Sequence, residues 1–208
     1  YQRFIKDYVR CIDGLDDQIG RILHFLEEED LAENTLLVYS SDQGFFTGEH
    51  GWAEKRWMYE ESFKSPLLMR WPGVIKPGSV IGDLVQNIDL APTFLQGAGL
   101  DVPCTLHGLA LQPLFSESGP KEWREEVLYQ YFDGGTLQKP GPYNMPRHEG
   151  IRNRRYKLIS FYEYDAWEFY DLRNDPNELK NLIEDPLMKS RIQWMKQRLL
   201  KLKSKFSL

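Results

Sequence analysis

The chain opens on a helical pattern. Phe4, Ile5, Tyr8, Val9, Ile12, Leu15, Ile19, Ile22, Leu23 and Leu26 recur at three- and four-residue steps, with charges on the remaining faces, so residues 3–29 are predicted as one amphipathic helix. The acidic run Glu27 to Asp30 ends it, and Asn34-Thr35 hands over to a short β-favouring run, Leu36, Leu37, Val38 and Tyr39. Apolar on both faces over 36–41, this strand reads as a central parallel strand with neighbours on each side. It breaks into Ser40-Ser41-Asp42-Gln43-Gly44, and a second apolar run, Pro66 to Trp71, closes the stretch at Trp71-Pro72-Gly73. A buried strand that delivers polar groups at its carboxyl end is where open α/β sheets place their sites.

Further along, Lys76-Pro77-Gly78-Ser79 is a turn, and Asp89 with Pro92 marks a helix start that should end near Gly97-Ala98-Gly99. Residues 100–120 are loop-rich. Strands are predicted at Val127–Phe132, over Gly150–Phe161 and at Trp167–Asp171, with an exposed Gly/Pro-rich loop from Asp133 to Pro146. A final helix, about 184–204, directs Leu187, Ile192, Met195, Leu199 and Leu200 inward and its Lys and Arg outward. Strands followed by one helix predict a small antiparallel sheet backed by that helix.

With 208 residues, 27% charged and 41% hydrophobic, the chain has the composition of an ordinary globular protein able to bury one good core. Its net charge of -5 gives no electrostatic case for nucleic acid or an anionic membrane, and no apolar run reaches the roughly 20 residues of a membrane span. The first residues are charged and amphipathic, unlike a signal peptide, so secretion is not read from them. Cys11 and Cys104 lack partners at metal-ligand spacing and read as small buried hydrophobes.

The candidate chemistry lies between the two apolar runs. Asp42 at a strand end calls for a cation or a set of donors, and Gln43 adds a neutral oxygen of the kind Ca²⁺ or Mg²⁺ prefers. Taken alone, Asp42-Gln43-Gly44 reads first as an Asx turn in which Asp42 caps the loop backbone. Lys55 could grip an anionic sulfate or phosphate, or be a surface lysine. His50, in Gly48-Glu49-His50-Gly51, could act as acid, base or anion donor, or simply sit in a glycine-bounded turn. Glu60-Glu61-Ser62 resembles a solvated helix turn in which Glu60 braces the loop. Adjacent Asp16 and Asp17 point about 100° apart on a helix and read as a solvated face.

Taken together, Ser41-Asp42-Gln43-Gly44, Gly48-Glu49-His50-Gly51, Lys55, Tyr59-Glu60-Glu61-Ser62, Pro66-Leu67-Leu68 and Trp71-Pro72-Gly73 strongly resemble the type I sulfatase family, within the alkaline-phosphatase-like superfamily. Asn87-Ile88-Asp89-Leu90-Ala91-Pro92-Thr93, Gly150-Ile151-Arg152, Arg155 to Ile159 and Glu168 to Glu178 extend the likeness over nearly the whole chain. The resemblance implies an α/β fold: the C-terminal part of a three-layer α/β/α domain at residues 1–120, and a small antiparallel sheet on a C-terminal helix at 121–208. It implies that Asp42 and Gln43 match the later pair of Ca²⁺ ligands, that Lys55 matches the sulfate-gripping lysine and that His50 matches a catalytic-motif histidine. Glu49, Arg56 and Trp57 would line the substrate rim.

One departure limits the implication. The family's nucleophile is a formylglycine made from Cys or Ser in a Cys/Ser-x-Pro/Ala-x-Arg motif, and neither Cys11 nor Cys104 sits in one. The early aspartate pair is also missing. The expected partners are therefore an N-terminal portion of the same sulfatase, carrying the formylglycine and the other ligands, and a sulfated carbohydrate. Two rival readings stand beside this one: a phosphodiesterase or phosphonate hydrolase with the same metal half, and a non-catalytic glycan-binding module suggested by 13% aromatic residues.

Overall fold

The structure, a computed structural model, describes residues 1–116, 118–120, 122–133 and 145–206. Most of the predicted Gly/Pro-rich loop lies outside the described residues. Helix α1 runs Gln2–Glu28, as its apolar repeat dictates. None of its residues is buried, and Phe4, Val9, Ile12, Leu15, Ile22 and Phe25 are all exposed. The helix therefore shows an apolar stripe that the described residues leave largely uncovered. Cys11, on this helix, and Cys104 are both exposed free thiols, contrary to the expectation that they fill the core.

Strand β1 (Leu37–Ser40) pairs with β4 (Leu67–Arg70), but antiparallel, with Leu37 opposite Arg70 and Ser40 opposite Leu67. Among the described residues β1 has this one strand neighbour and is half-buried, its other edge unpaired. Between the two strands lie β2 (Phe46–Thr47) and β3 (Ala53–Glu54), a two-stranded ribbon, and one short turn of helix, α2 (Glu60–Phe63). Helix α3 follows at Leu90–Gly97, with Asp89 at its N-cap position. The Asp89 carboxylate does not cap α3 itself. It is buried and turned back onto the Gln86 amide and the Arg124 guanidinium.

The second half is a four-stranded antiparallel meander: β5 (Glu126–Tyr131), β6 (His148–Asn153), β7 (Tyr156–Phe161) and β8 (Ala166–Asp171). The segment expected to form one strand over 150–161 is two. Asn153 Oδ1 accepts the amides of Arg155 and Tyr156 and reverses the chain without a glycine or proline. Helix α4 (Lys189–Lys205) packs on one face of the sheet. There Ile192, Met195 and Leu199 meet Ile151, Tyr156, Leu158 and Phe169, each side chain fully buried worth roughly 1.5–3 kcal/mol. Leu187 and Leu200 point to solvent instead of inward, at 88% and 65% exposure. Leu187 lies in the turn Pro186–Met188 before α4, and Leu200 lies off the stripe that Ile192, Met195 and Leu199 set at steps of three and four.

Every residue of β7 is buried because the other sheet face is covered as well. Tyr156 and Leu158 face α4, whereas Ile159 and Phe161 join Met58, Tyr170, Trp57, Tyr59 and Phe63. The α2 segment thus docks on the sheet. Its approach is tight enough that a Cβ at Gly150 would meet Met58 Sδ at 2.4 Å. The architecture is the C-terminal α/β part of the expected three-layer domain plus an antiparallel sheet packed on a terminal helix.

Candidate functional site

The turn after β1 is held from three directions. Ser40 Oγ donates to the Pro66 carbonyl at 2.9 Å, Asn87 Nδ2 donates to the Asp42 carbonyl at 2.9 Å, and the Gly44 amide donates to the Ser62 carbonyl at 2.8 Å. The Asp42 carboxylate itself is exposed, with only long contacts from the Ser41 hydroxyl and the Gln43 amide, both at 3.3 Å. Desolvation pushes its pKa up, but those two hydrogen bonds and the charge of Lys55 outweigh it and hold the carboxyl below its usual range. Asp42 and Gln43 therefore stand together at the carboxyl end of β1, and Lys55 lies near enough for its charge to act on the Asp42 carboxylate.

The loop carrying the other candidates is strained. His50, Glu54 and Arg56 all have positive φ, at 54°, 80° and 94°, in a span of seven residues. Such conformations cost on the order of 1–3 kcal/mol each and persist only where the surroundings over-determine them. Here those surroundings can be named. Glu49 accepts the Thr47 amide at 2.6 Å and its hydroxyl at 3.0 Å. Its own amide first, and Thr47 after it, keep its carboxyl ionised to lower pH than usual. The Arg56 amide donates to Ser62 Oγ at 2.7 Å, its guanidinium pairs with Glu54 at 2.7 Å, and its carbonyl accepts the Tyr129 hydroxyl.

His50 is stacked on Tyr59, ring centroids 4.5 Å apart, with Phe46 edge-on at 6.1 Å and Glu61 Oε2 3.6 Å from Nε2. Trp57 does not present itself as an open rim. Its ring packs over His148 at 5.6 Å and against Trp52 and Phe161, inside the aromatic cluster on the sheet. The exposed aromatic of this loop is Trp52, at 46%.

Beneath the loop, α2 is tied to the meander by charged groups. Glu60 is not a solvated side chain: Arg152 donates to both its oxygens at 3.0 and 3.1 Å, and Lys157 Nζ lies 2.9 Å away. Burial raises its pKa, yet Arg152 first and Lys157 after it bring the carboxyl down to about 2. Glu178 accepts the Glu60 amide at 2.7 Å and pairs with Lys157 at 2.8 Å. Its burial outweighs these partners and pushes it up to about 7. Tyr59 donates to Glu168 at 2.8 Å, and Tyr170 donates to the same oxygen at 3.0 Å.

Sequence reasoning gave no role to Asn87, Lys157, Glu168 or Glu178. The one available signal was a lysine in an otherwise apolar strand, Tyr-Lys-Leu-Ile-Ser-Phe, because a lysine fully buried there has to be paired. Among the described residues no three His, Cys, Asp or Glu side chains converge as a metal set. Asp42 and Gln43 offer hard oxygen donors suited to a cation such as Ca²⁺, but only part of the roughly six to eight it takes.

A model of the family described as N-sulphoglucosamine sulphohydrolase, C-terminal, matches residues 48–205. The chain belongs to this sulfatase family. It is 43% identical over 185 residues to the N-acetylglucosamine-6-O-sulfatase of Bacteroides thetaiotaomicron, covering 88% of the chain and 32% of that relative. A solved structure described as a complex with its substrate D-glucosamine-2-N,6-O-disulfate superposes with a TM-score of 0.87 at 39% identity, over 94% of this chain and 39% of the other. The phosphonate monoester hydrolase of Silicibacter pomeroyi superposes at 0.81 with 26% identity, over 91% and 38%. This sulfatase chain thus spans about a third of the length of the relatives it matches.

Proposed function

We propose that the chain is the C-terminal portion of an enzyme that hydrolyses sulfate esters on a carbohydrate, and that it supplies one half of the active site. The observation that supports this reading is the Asp42-Gln43 turn at the end of β1, within reach of the Lys55 charge, in a chain of the sulfatase family. Asp42 and Gln43 would hold Ca²⁺ through their oxygens, and the bound ion would offset charge on a sulfate oxygen. Lys55 adds a point charge toward the same sulfate group. His50, its ring held by the stack on Tyr59, would serve as a proton carrier, while Glu49 and Arg56 shape the loop. The nucleophile, a formylglycine, and the other Ca²⁺ ligands belong to the N-terminal portion, which would also cover the apolar stripe of α1 and the open edge of β1.

Glucosamine sulfate as the substrate class is supported by the names of the relatives. A phosphonate-ester reading is supported by the second superposition, and the two are separated by assaying sulfate and phosphonate monoesters side by side. In the whole protein, Lys55→Ala should lower kcat/KM on a sulfated glucosamine by about 10²–10³, the usual loss when one charge-stabilising donor is removed. An unchanged value removes Lys55 from the site. Ca²⁺ should raise the melting temperature of the isolated chain little and that of the whole protein markedly, as read by calorimetry. Equal, tight binding by the isolated chain would refute a divided metal site.

A further inference from the structure

The metal-turn residues and the sulfate-gripping loop share one support, α2. Ser62 accepts from both: its carbonyl takes the Gly44 amide at 2.8 Å and its hydroxyl takes the Arg56 amide at 2.7 Å. Neither loop can move independently of that residue, and Ser62 is buried. The location of α2 is in turn set by the meander more than 90 residues away in sequence. Arg152 of β6 and Lys157 of β7 grip the Glu60 side chain, and Glu168 of β8 takes the Tyr59 hydroxyl. Glu178, in the turn beyond β8, accepts the Glu60 amide at the first residue of the helix.

Glu178 stands out among these. It is 2% exposed, has a positive φ of 51°, and spends one carboxylate oxygen on each of two donors: Oε1 on Lys157 Nζ, Oε2 on the Glu60 amide. A charged group buried in a strained backbone conformation needs a reason beyond packing. We propose that Glu178 is a positioning residue for the sulfate-ester reaction: by bridging Lys157 and the Glu60 amide it fixes α2, and through Ser62 it fixes Asp42 and Gln43 relative to Lys55. This rests on the reading given under Proposed function.

The bridge requires the ionised form. Protonation removes the charge that pairs Oε1 with Lys157 Nζ, and a proton on Oε2 meets the Glu60 N–H, so in either form one arm of the bridge is lost. The charged and titratable groups around it are Lys157 on β7, Glu60 and Tyr59 at α2, and Arg152 on β6 beyond Glu60. Since burial pushes Glu178 up to about 7, the bridged state is complete above neutrality and is lost as pH falls through 7. Glu178→Gln reproduces the broken state at every pH, because one face of the amide is itself a donor.

The test uses the whole protein, wild type and Glu178→Gln, in two measurements. Hydrogen exchange should show faster exchange at the Gly44, Arg56 and Lys64 amides in the variant, with β6 and β7 amides unchanged. Unchanged protection at those three amides would overturn the tether whatever the activity. In steady-state kinetics kcat should fall by about 10²-fold, as for misplacement of reacting groups by an ångström, with KM little altered. The acid limb of kcat near pH 7 should also vanish. A purely structural Glu178 would lower the melting temperature and leave that limb in place, which would overturn the positioning role. If the wild-type protein does not cleave sulfate esters, the sulfatase reading fails by itself and the exchange result decides the tether.

Discussion

Replacing Asp89 with alanine is expected to lower the stability of the fold by about 3–5 kcal/mol, the range found when one partner of a buried ion pair is removed. The Asp89 side chain is completely buried and uses both oxygens twice. Oδ1 accepts the Leu109 amide at 2.8 Å and one Arg124 nitrogen. Oδ2 accepts the Gln86 amide at 2.7 Å and the other Arg124 nitrogen at 2.7 Å. Truncation leaves a guanidinium that is only 11% exposed without its counter-charge, and two amides without acceptors. The segment carrying Leu109 is packed closely on this site, an added Cβ at Gly108 lying 2.0 Å from the Ile88 carbonyl oxygen. Urea denaturation would show a lower midpoint. Adding Arg124→Met to Asp89→Ala should recover part of the loss, because it removes the stranded charge. A loss below about 1 kcal/mol in the single variant would mean that water reaches the pair.

The Asp89 case also shows what the sequence could and could not convey. Asp89 before Leu90-Ala91-Pro92-Thr93 announces a helix start, and the helix begins there. That its carboxylate serves Arg124, 35 residues on, is a tertiary fact with no local signature. The same division holds along the chain. Periodicity located α1 and α4, whose apolar positions recur at three- and four-residue steps, and apolar runs marked the strands of the meander. The β6–β7 reversal was hidden because an asparagine side chain, not a glycine, makes the turn. Cys11 was misplaced because α1 carries an apolar stripe that the described residues leave largely uncovered, so residue type alone gave the wrong burial. The candidate site was legible as a cluster of motif residues, of which Asp42 and Gln43 are in contact and Lys55 lies near enough for its charge to act on Asp42. Its support was not legible, because Lys157 and Glu178 acquire meaning only by meeting Glu60 across the fold.

Gly44→Ala is expected to cost about 2–3 kcal/mol and to disturb at the same time the Asp42-Gln43 turn proposed to hold Ca²⁺. An ideal Cβ at position 44 would lie 2.0 Å from the Glu61 carbonyl oxygen and 2.7 Å from that of Lys64, both backbone atoms of α2 and its exit. Relief requires the turn and α2 to part by about 1 Å, which stretches the 2.8 Å bond from the Gly44 amide to the Ser62 carbonyl. Neither partner is free to yield. Asn87 holds the turn at the Asp42 carbonyl, while Arg152, Lys157 and Glu178 hold α2. Gly51→Ala is the control: position 51 has a positive φ of 73° but open space around it, so only the conformational penalty of about 1 kcal/mol applies. Calorimetry on both variants, with Ca²⁺ titration of the whole protein, separates crowding from backbone preference. Equal losses in the two variants, or undiminished Ca²⁺ affinity in Gly44→Ala, would show that the contact between the turn and α2 is not what sets Asp42 and Gln43 in place. The larger loss at 44, with weakened Ca²⁺ binding, follows directly if one short helical turn is the shared footing of both loops.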